Sequence, residues 1–135
     1  MIFLGFFRNK KKESLPEGIN PSEIEWPDHV VTLDGNEFEE FISKYPLSLV
    51  DFWAPWCAPC KAMAPRLRRL SNIYKGEVAF GKLNTQDNEK IAKKYKVTGI
   101  PHLGFFRYGK KISSLVGLRS VGDIKDTVDD ILKNS

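Results

Sequence analysis

The sequence predicts an α/β protein with one central mixed β-sheet of four to five strands, flanked by helices on both faces. Three observations favour this class. The 135 residues are 41% hydrophobic, which suffices for the core of one domain but is short for two. From residue 30 onward, strand-like and helix-like patterns alternate, as they do where crossover helices join parallel strands. The last two strand-like patterns flank a tight turn, which adds an antiparallel hairpin.

The first half of this domain has the pattern strand, helix, strand, helix. Val30 to Leu33 is rich in β-branched residues and predicts a short strand, which an Asp-Gly-Asn turn follows. Asn36 in that turn is placed to cap a helix from Glu37 to Lys44. The run from Leu47 to Ala54 is apolar almost throughout, which indicates a central strand covered on both faces. A long helix from Ala58 to Tyr74 follows.

The second half continues with a strand and a short charged helix, and it ends in a hairpin and a helix. Val78 to Asn84 predicts the second central strand, and Asp87 to Tyr95 predicts the charged helix. Leu103 to Tyr108 and Lys111 to Val116 predict a hairpin around a Tyr-Gly-Lys turn. Val121 to Lys133 has the apolar periodicity of an amphipathic closing helix.

Residues 1–29 are predicted to be an extension that precedes the domain of residues 30–135. Residues 1–7 are apolar and a basic cluster follows them, which is the reverse of the charge order in a secretory signal. We interpret residues 1–7 as a terminal strand or a docked tail rather than as a membrane foothold, because one short apolar patch binds membranes only marginally. Residues 13–29 combine acidic residues with prolines, which is typical of a linker or of an arm lying over the domain.

The charge and composition exclude several classes of protein. The net charge is +4, but the first 28 residues carry four positive and five negative charges, and no nucleic-acid-binding motif gathers the rest. We therefore expect a solvated surface and no nucleic-acid partner. A run of about 18 apolar residues, which a membrane-spanning helix needs, is absent from the sequence. With only two cysteines, the chain is not a disulfide-dense scaffold.

The two cysteines, Cys57 and Cys60, stand where the predicted central strand gives way to the long helix. Residues three apart on a helix share one face, with Cβ atoms about 5–6 Å apart, so a disulfide can form with modest adjustment. A ring of about four residues stabilises the fold by only about 2 kcal/mol, which is the low end for a disulfide. This spacing therefore indicates a bond that opens and closes in a reaction.

The position of the two cysteines on the helix predicts different roles for them. Cys57 falls at the helix start, where free backbone N–H groups and the positive end of the dipole stabilise a thiolate. Cys60 lies one turn inside and should be shielded and less acidic. We expect Cys57 to attack a substrate disulfide and Cys60 to resolve the mixed disulfide. Half of a zinc site is the alternative, but only His29 and His102 could complete it as nitrogen ligands.

Four segments resemble the thioredoxin family in order and spacing. They are the run VDFWAPWCAPCK at residues 50–61, Lys82-Leu83-Asn84, Val97-Thr98-Gly99-Ile100-Pro101, and Gly117. The resemblance covers about residues 30–133 and implies the thioredoxin fold. It also implies a protein-disulfide reductase that accepts electrons from a thioredoxin reductase or equivalent donor, without a metal or organic cofactor. We expect a cytoplasmic monomer that takes part in electron transport and cell redox homeostasis.

The resemblance also implies roles for two residues away from the cysteines. Asp51 lies in the predicted central strand, where burial raises the pKa of a carboxyl group towards neutrality. It matches the family aspartate that takes the proton from the resolving cysteine, here Cys60; the alternative is an aspartate facing solvent at a strand edge. Lys82 matches the family lysine that tunes this aspartate, and the alternative is a plain surface lysine.

A substrate-binding surface follows from the same resemblance. Pro101 matches the family proline that follows a cis peptide bond and lies across from the dithiol. The backbone of Ile100 would then pair with an extended substrate segment, which gives binding that tolerates many sequences. Packing and turn geometry are the alternative roles for Trp56 and Gly117. The apolar rim around Cys57 would consist of Trp56, Pro59, Gly99, Ile100 and Gly117.

The chain departs from the family pattern at three places. Ala58 replaces the usual glycine between the cysteines, which leaves the redox potential open. His102 replaces the threonine that usually follows the proline. It could modulate the dithiol by titrating between about pH 6 and 7, or it could be an ordinary exposed or hydrogen-bonded histidine. The third departure is the extension of residues 1–29, which the minimal family domain lacks.

Two other functions stay open beside the reductase. One is a more oxidising disulfide oxidase or isomerase outside the cytoplasm, against which the Ala-Pro dipeptide and the missing signal peptide argue. The other is a redox-independent binding or chaperone-like module that uses the apolar rim and the N-terminal arm.

Overall fold

The computed structural model describes residues 23–134, which form five strands and four helices. All nine elements predicted for residues 30–133 are present, with boundaries that differ by at most two residues. The helix from Val121 to Lys133 is observed with the predicted boundaries. The elements in chain order are β1 (Val31–Leu33), α1 (Phe38–Lys44), β2 (Ser48–Trp53), α2 (Ala58–Ile73), β3 (Ala79–Asn84), α3 (Glu89–Lys94), β4 (His102–Arg107), β5 (Lys110–Val116) and α4 (Val121–Lys133).

The five strands form one mixed sheet in the order β1-β3-β2-β4-β5. Strands β1, β3 and β2 are parallel, whereas β4 is antiparallel to both β2 and β5. This arrangement confirms the predicted mixed sheet and its closing hairpin. Strand β2 lies in the middle, so its carboxyl end, which leads to the cysteines, is supported by neighbours on both sides.

Each face of the sheet carries its own hydrophobic core. Helices α2 and α4 cover one face through residues such as Leu67 and Val128, which pack with Leu49 of β2. Helix α1 covers the other face with Phe38, which packs with Phe52 of β2, and Ile91 of α3 adds to this core. Because successive residues of a strand point to opposite faces, β2 is apolar almost throughout and serves both cores.

The cap of helix α1 corrects one prediction. Asn36 does not cap the helix: the N-cap residue is Glu37, which makes no side-chain cap bond. Asp34 acts in the turn before it, where its Oδ1 accepts the backbone N–H groups of Asn36 and Glu37, each at 2.9 Å. The carboxylate of Glu37 accepts the N–H of Asp34 at 3.2 Å in return. The turn between β1 and α1 places Asp34 three residues before Glu37, which gives the two the reciprocal geometry of a capping box.

We expect Asp34→Ala to lower the free energy of unfolding by about 1 kcal/mol, because two backbone donors lose their acceptor. Asn36→Ala is the matched control, since the Asn36 side chain is exposed and the backbone N–H that it donates stays in place. Denaturant unfolding of the two variants measures the difference. An equal loss in both would contradict the role of Asp34.

The segment just before β1 lies against the domain. Ile24 and Trp26 are partly buried against the core of α1 and α3, and the Trp26 ring lies 5.3 Å from that of Tyr45, centroid to centroid. The described part of the segment predicted as a linker or an arm, residues 23–29 of 13–29, thus contacts the domain through these two side chains. The predictions for residues 1–22 lie outside the described residues. In the part that is described, no helix is both long and apolar enough to cross a membrane.

Candidate active site

The two cysteines meet at the junction of β2 and α2. Cys57 is the N-cap residue of α2, and its Sγ accepts the backbone N–H of Cys60 at 3.2 Å. The two residues form a disulfide, with Cα atoms 5.3 Å apart, so the structure represents the oxidised state. Pro59 stands in the first turn, where its missing N–H leaves no helical hydrogen bond unmade. The predicted pairing of Cys57 and Cys60 is thus present.

The surroundings of the two sulfurs differ in hydrogen bonding rather than in exposure. Cys60 is shielded as predicted, at 3% exposure, but Cys57 is buried almost equally, at 4%. What distinguishes Cys57 is the helix terminus: its sulfur lies at the positive end of a 16-residue helix and already accepts an N–H group. In the reduced protein, these groups favour the thiolate form of Cys57.

Asp51 is buried in the central strand β2, at 3% exposure, so it is not the solvent-facing aspartate of the alternative interpretation. Its register partner in β3 is Lys82. Among the described residues, Oδ1 of Asp51 has no hydrogen-bond partner. Burial raises the pKa of Asp51 to about 7, and the positive charge of Lys82 opposes this rise. A carboxyl group with this pKa can accept and release a proton near neutral pH.

A cavity of about 240 Å³ opens next to Asp51 and Lys82. Its volume is several times the roughly 30 Å³ that a water molecule occupies in the liquid, and its lining is partly polar. Water in this cavity would connect the Asp51 carboxyl group to solvent. Sequence reasoning missed the other lining residues, because only the packing of α2 and the arm against β2 brings them together. They are Asp28, His29, Val30, Ala64, Leu67, Arg68, Ser71 and Asn72.

Ile100 brings part of the predicted substrate-binding rim to the dithiol; substrate binding by the rim stays a prediction. Ile100 packs against the cluster that contains both cysteines, and the Ile100–Pro101 peptide bond is cis, as the resemblance implies. The backbone N–H of Gly117 donates to the carbonyl oxygen of Pro101 at 2.8 Å, which joins two separate loops. Gly117 has a φ of 93°, a conformation that favours glycine. Gly99 lies in the same loop as Ile100, and an added Cβ there would touch Val116.

The two rim residues next to the cysteines face solvent. Trp56 precedes Cys57 and is 72% exposed, the highest value among the exposed large hydrophobic side chains of the described chain. Pro59, between the cysteines, is also exposed. A large exposed aromatic ring beside a buried disulfide is suited to contact with a partner protein.

His102 lies away from the dithiol, on the face of the sheet that carries α1 and α3. Its ring packs edge-on against Phe52 at 5.5 Å between centroids, and Lys111 donates from Nζ to Nε2 at 2.8 Å. Burial, assisted by the charge of Lys111, lowers the pKa of His102 from 6.5 to about 4. The ring is therefore neutral between pH 6 and 7, so the expected change of charge in that range is not supported. That His102 modulates the dithiol stays a prediction.

We expect His102→Thr to leave the pH–rate profile of disulfide reduction unchanged in shape between pH 6 and 7. The reason is that the wild-type ring does not change its charge in that interval. The measurement is kcat/KM for a disulfide substrate at several pH values in both proteins. A transition in this interval that disappears in the variant would contradict the structural assignment.

No metal centre accompanies the dithiol in the described residues. Within residues 23–134, no group of three or more His, Cys, Asp or Glu side chains is placed to hold a metal ion. His29 and His102, the two nitrogen ligands of the zinc alternative, are set apart: His29 lines the Asp51 cavity and His102 packs on Phe52.

Comparison with known proteins relates the chain to one family. The family model described as Thioredoxin matches residues 29–130. The chain is 36% identical over 105 residues to the chloroplastic M-type thioredoxin of Spinacia oleracea, a match that covers 76% of this chain and 58% of that protein. It is also 36% identical over 102 residues to a thioredoxin of Buchnera aphidicola subsp. Acyrthosiphon pisum, covering 75% of this chain and 94% of that one.

Solved structures show the same relationship. A mutant thioredoxin from Halobacterium salinarum NRC-1 superposes with a TM-score of 0.74 at 29% sequence identity, covering 79% of this chain and 94% of that chain. The thioredoxin fold implied by the resemblance is confirmed.

Proposed function

This chain belongs to the thioredoxin family and is a protein-disulfide oxidoreductase, and we propose that Cys57 is its attacking thiol and Cys60 its resolving thiol. The observation that carries this assignment is the hydrogen bond from the Cys60 N–H to Cys57 Sγ at the N-terminus of α2. The same bond stabilises negative charge on Cys57 in the reduced protein.

The first step forms a mixed disulfide. The Cys57 thiolate attacks one sulfur of the substrate disulfide, so a bond between Cys57 and that sulfur forms while the substrate S–S bond breaks. The other substrate sulfur leaves as a thiolate and takes a proton from solvent. Exposed Trp56 and the backbone of Ile100 hold the substrate segment during this step, through apolar contact and main-chain hydrogen bonds.

The second step releases the reduced substrate. Cys60 gives its proton to Asp51 through a bridging water, and its sulfur attacks Cys57. The Cys57–Cys60 bond forms and the mixed disulfide breaks. The second substrate sulfur leaves as a thiolate and takes the proton that Asp51 holds, through water. In total the substrate gains two electrons from the protein, one proton from Cys60 and one proton from solvent. Lys82 holds the Asp51 pKa near neutral, since its charge opposes the effect of burial.

The assignment of roles is tested by trapping the intermediate. Cys60→Ser lacks the resolving thiol, so we expect it to accumulate a mixed disulfide with a disulfide-containing substrate, detected as an added mass on Cys57. Cys57→Ser is the matched control and should accumulate none. Cys60 lies inside the helix and not at its N-terminal end, so its thiolate is not stabilised there. Trapping by Cys57→Ser but not by Cys60→Ser would reverse the assignment.

The partners and location are part of the same proposal. We propose a thioredoxin reductase or equivalent donor, which returns the Cys57–Cys60 disulfide to the dithiol, and a monomer that works without a bound cofactor. The cytoplasm is the proposed location, because a reductant acts where the environment keeps thiols reduced. Equilibration with glutathione tests this direction of electron flow: a potential near those of protein oxidases would favour the oxidase or isomerase instead.

A further inference from the structure

Helix α2 and the turn that follows it carry only positive charge. Residues 58–76 include five Lys and Arg side chains and no Asp or Glu. Lys61 follows the resolving cysteine directly and is exposed, and Arg69, eight residues on, is exposed on the same side of the helix. The charge balance of the whole chain does not indicate this cluster of positive charge, because the acidic residues lie on other elements.

A further positively charged residue, Arg119 in the loop after β5, lies close to helix α2. Arg66 donates from Nη1 to the carbonyl oxygen of Arg119 at 2.7 Å, which ties the middle of α2 to the loop after β5. Arg119 donates in turn to the carbonyl oxygen of Val116, at 3.3 Å from Nε and 3.2 Å from Nη2. This loop includes Gly117, whose N–H bonds to Pro101 beside the cysteines. We call Lys61, Arg66, Arg69 and Arg119 the basic rim.

The charges of the basic rim are not neutralised within the described chain. None of its four side chains forms an ion pair with a carboxylate of residues 23–134, including Asp123, the first acid after Arg119. Lysines elsewhere do form such pairs, for example Lys94 with Glu39 at 3.0 Å. Arg119 bonds to Val116 and follows Leu118, so this part of the rim lies next to exposed apolar side chains. Trp56 is exposed beside Cys57.

We propose that the basic rim selects protein disulfides that are flanked by carboxylates. This inference rests on the proposed function, because the selected group is the substrate of Cys57. The apolar centre contacts the substrate segment without regard to sequence, and the rim adds the preference through charge complementarity. The expected partner is therefore an acidic protein surface around an accessible disulfide.

The size and salt dependence of this preference follow from screening. Several charges of one sign around a docking site raise the rate of association by tenfold or more at low ionic strength. The Debye length shrinks from about 30 Å at 0.01 M to about 3 Å at 1 M, so the preference should nearly vanish at high salt. Apolar contacts with Trp56 respond differently, because they are not weakened by salt.

Two peptides with the same internal disulfide test the proposal, one flanked by glutamates and the other by lysines. At 0.01 M ionic strength we expect kcat/KM for the glutamate peptide to be about tenfold higher, with the ratio falling below about twofold at 1 M. The double variant Lys61→Gln, Arg69→Gln should lower the ratio at least threefold. Lys90→Gln, Lys93→Gln removes the same charge from exposed positions on α3 and should leave the ratio unchanged.

Two results would overturn the proposal that the basic rim selects disulfides flanked by carboxylates. One is a ratio near 1 for the wild-type protein at low ionic strength while both peptides are reduced. The other is an equal fall of the ratio in the α3 control variant, which would assign the preference to net charge alone. Failure to reduce either peptide is a different result, because it would overturn the dithiol mechanism on which the inference rests.

Discussion

Cys57→Ser is expected to reduce protein disulfides at least about 10³-fold more slowly than the wild-type protein. The substitution removes the only sulfur that sits at the N-terminus of α2. A serine hydroxyl is a far weaker nucleophile towards sulfur and cannot form the mixed disulfide. The measurement is the rate of insulin reduction with dithiothreitol as the electron source, corrected for the rate without protein.

The fold should survive this substitution, which keeps the result interpretable. Serine is a favoured N-cap residue, so its Oγ can accept the N–H of Cys60 in place of the sulfur. The lost disulfide closes a short ring and contributes only about 2 kcal/mol. Far-ultraviolet circular dichroism and the denaturation midpoint provide the control. A folded Cys57→Ser protein with the wild-type rate would contradict the enzymatic role and favour a binding module.

The layout of the fold could be predicted because its elements are local patterns. The apolar run that forms β2 indicated the central strand, because a strand buried on both faces has no alternation of polar and apolar residues. The cysteine pair also lay where strand changes to helix, so the chemistry of Cys57 followed from its place at the helix terminus. These inferences needed nothing beyond neighbouring residues.

The features that could not be predicted depend on contacts between distant segments. Asp34 rather than Asn36 binds the backbone at the start of α1 because of the path of the turn, which the sequence pattern does not specify. The resemblance suggested a role for His102 at the dithiol, because it follows Pro101. The register of β4 instead turns its ring towards Phe52, on the face of the sheet that α1 covers. The basic rim needed Arg66 and Arg119, 53 residues apart, to meet. Composition reports charge, whereas only tertiary structure reports which charges lack a partner.

Asp51→Asn is expected to stabilise the protein at pH 8 by about 4 kcal/mol and to leave its stability unchanged at pH 3.5. Asp51 has an ordinary pKa of 3.8 when unfolded and a pKa of about 7 when buried in the fold. Between these values the unfolded chain releases a proton that the folded chain keeps, so stability falls as pH rises through this window. Each pKa unit corresponds to about 1.4 kcal/mol.

The matched control for this prediction is Asp34→Asn, which replaces an exposed carboxylate by the same amide. Asparagine also caps helices well, so this variant should change little at either pH. Unfolding by denaturant at pH 3.5 and pH 8 gives the change in unfolding free energy of each variant relative to the wild-type protein at each pH. His102 is present in all three proteins, so its own titration near pH 4 cancels in the comparison. A stability gain from Asp51→Asn that is equal at both pH values would contradict burial of a titrating carboxyl group.

The same substitution is expected to slow catalysis while it stabilises the fold. An amide cannot accept the proton of Cys60, so the resolving step at pH 7 should slow by about 10². Release of the second substrate thiol in a single turnover measures this step, and its inflection near pH 7 should disappear with the carboxyl group. A purely structural aspartate would give the opposite pattern, with stability and rate lost together. A gain in stability together with a loss of rate shows that the buried carboxyl group is maintained for proton transfer at a cost to stability.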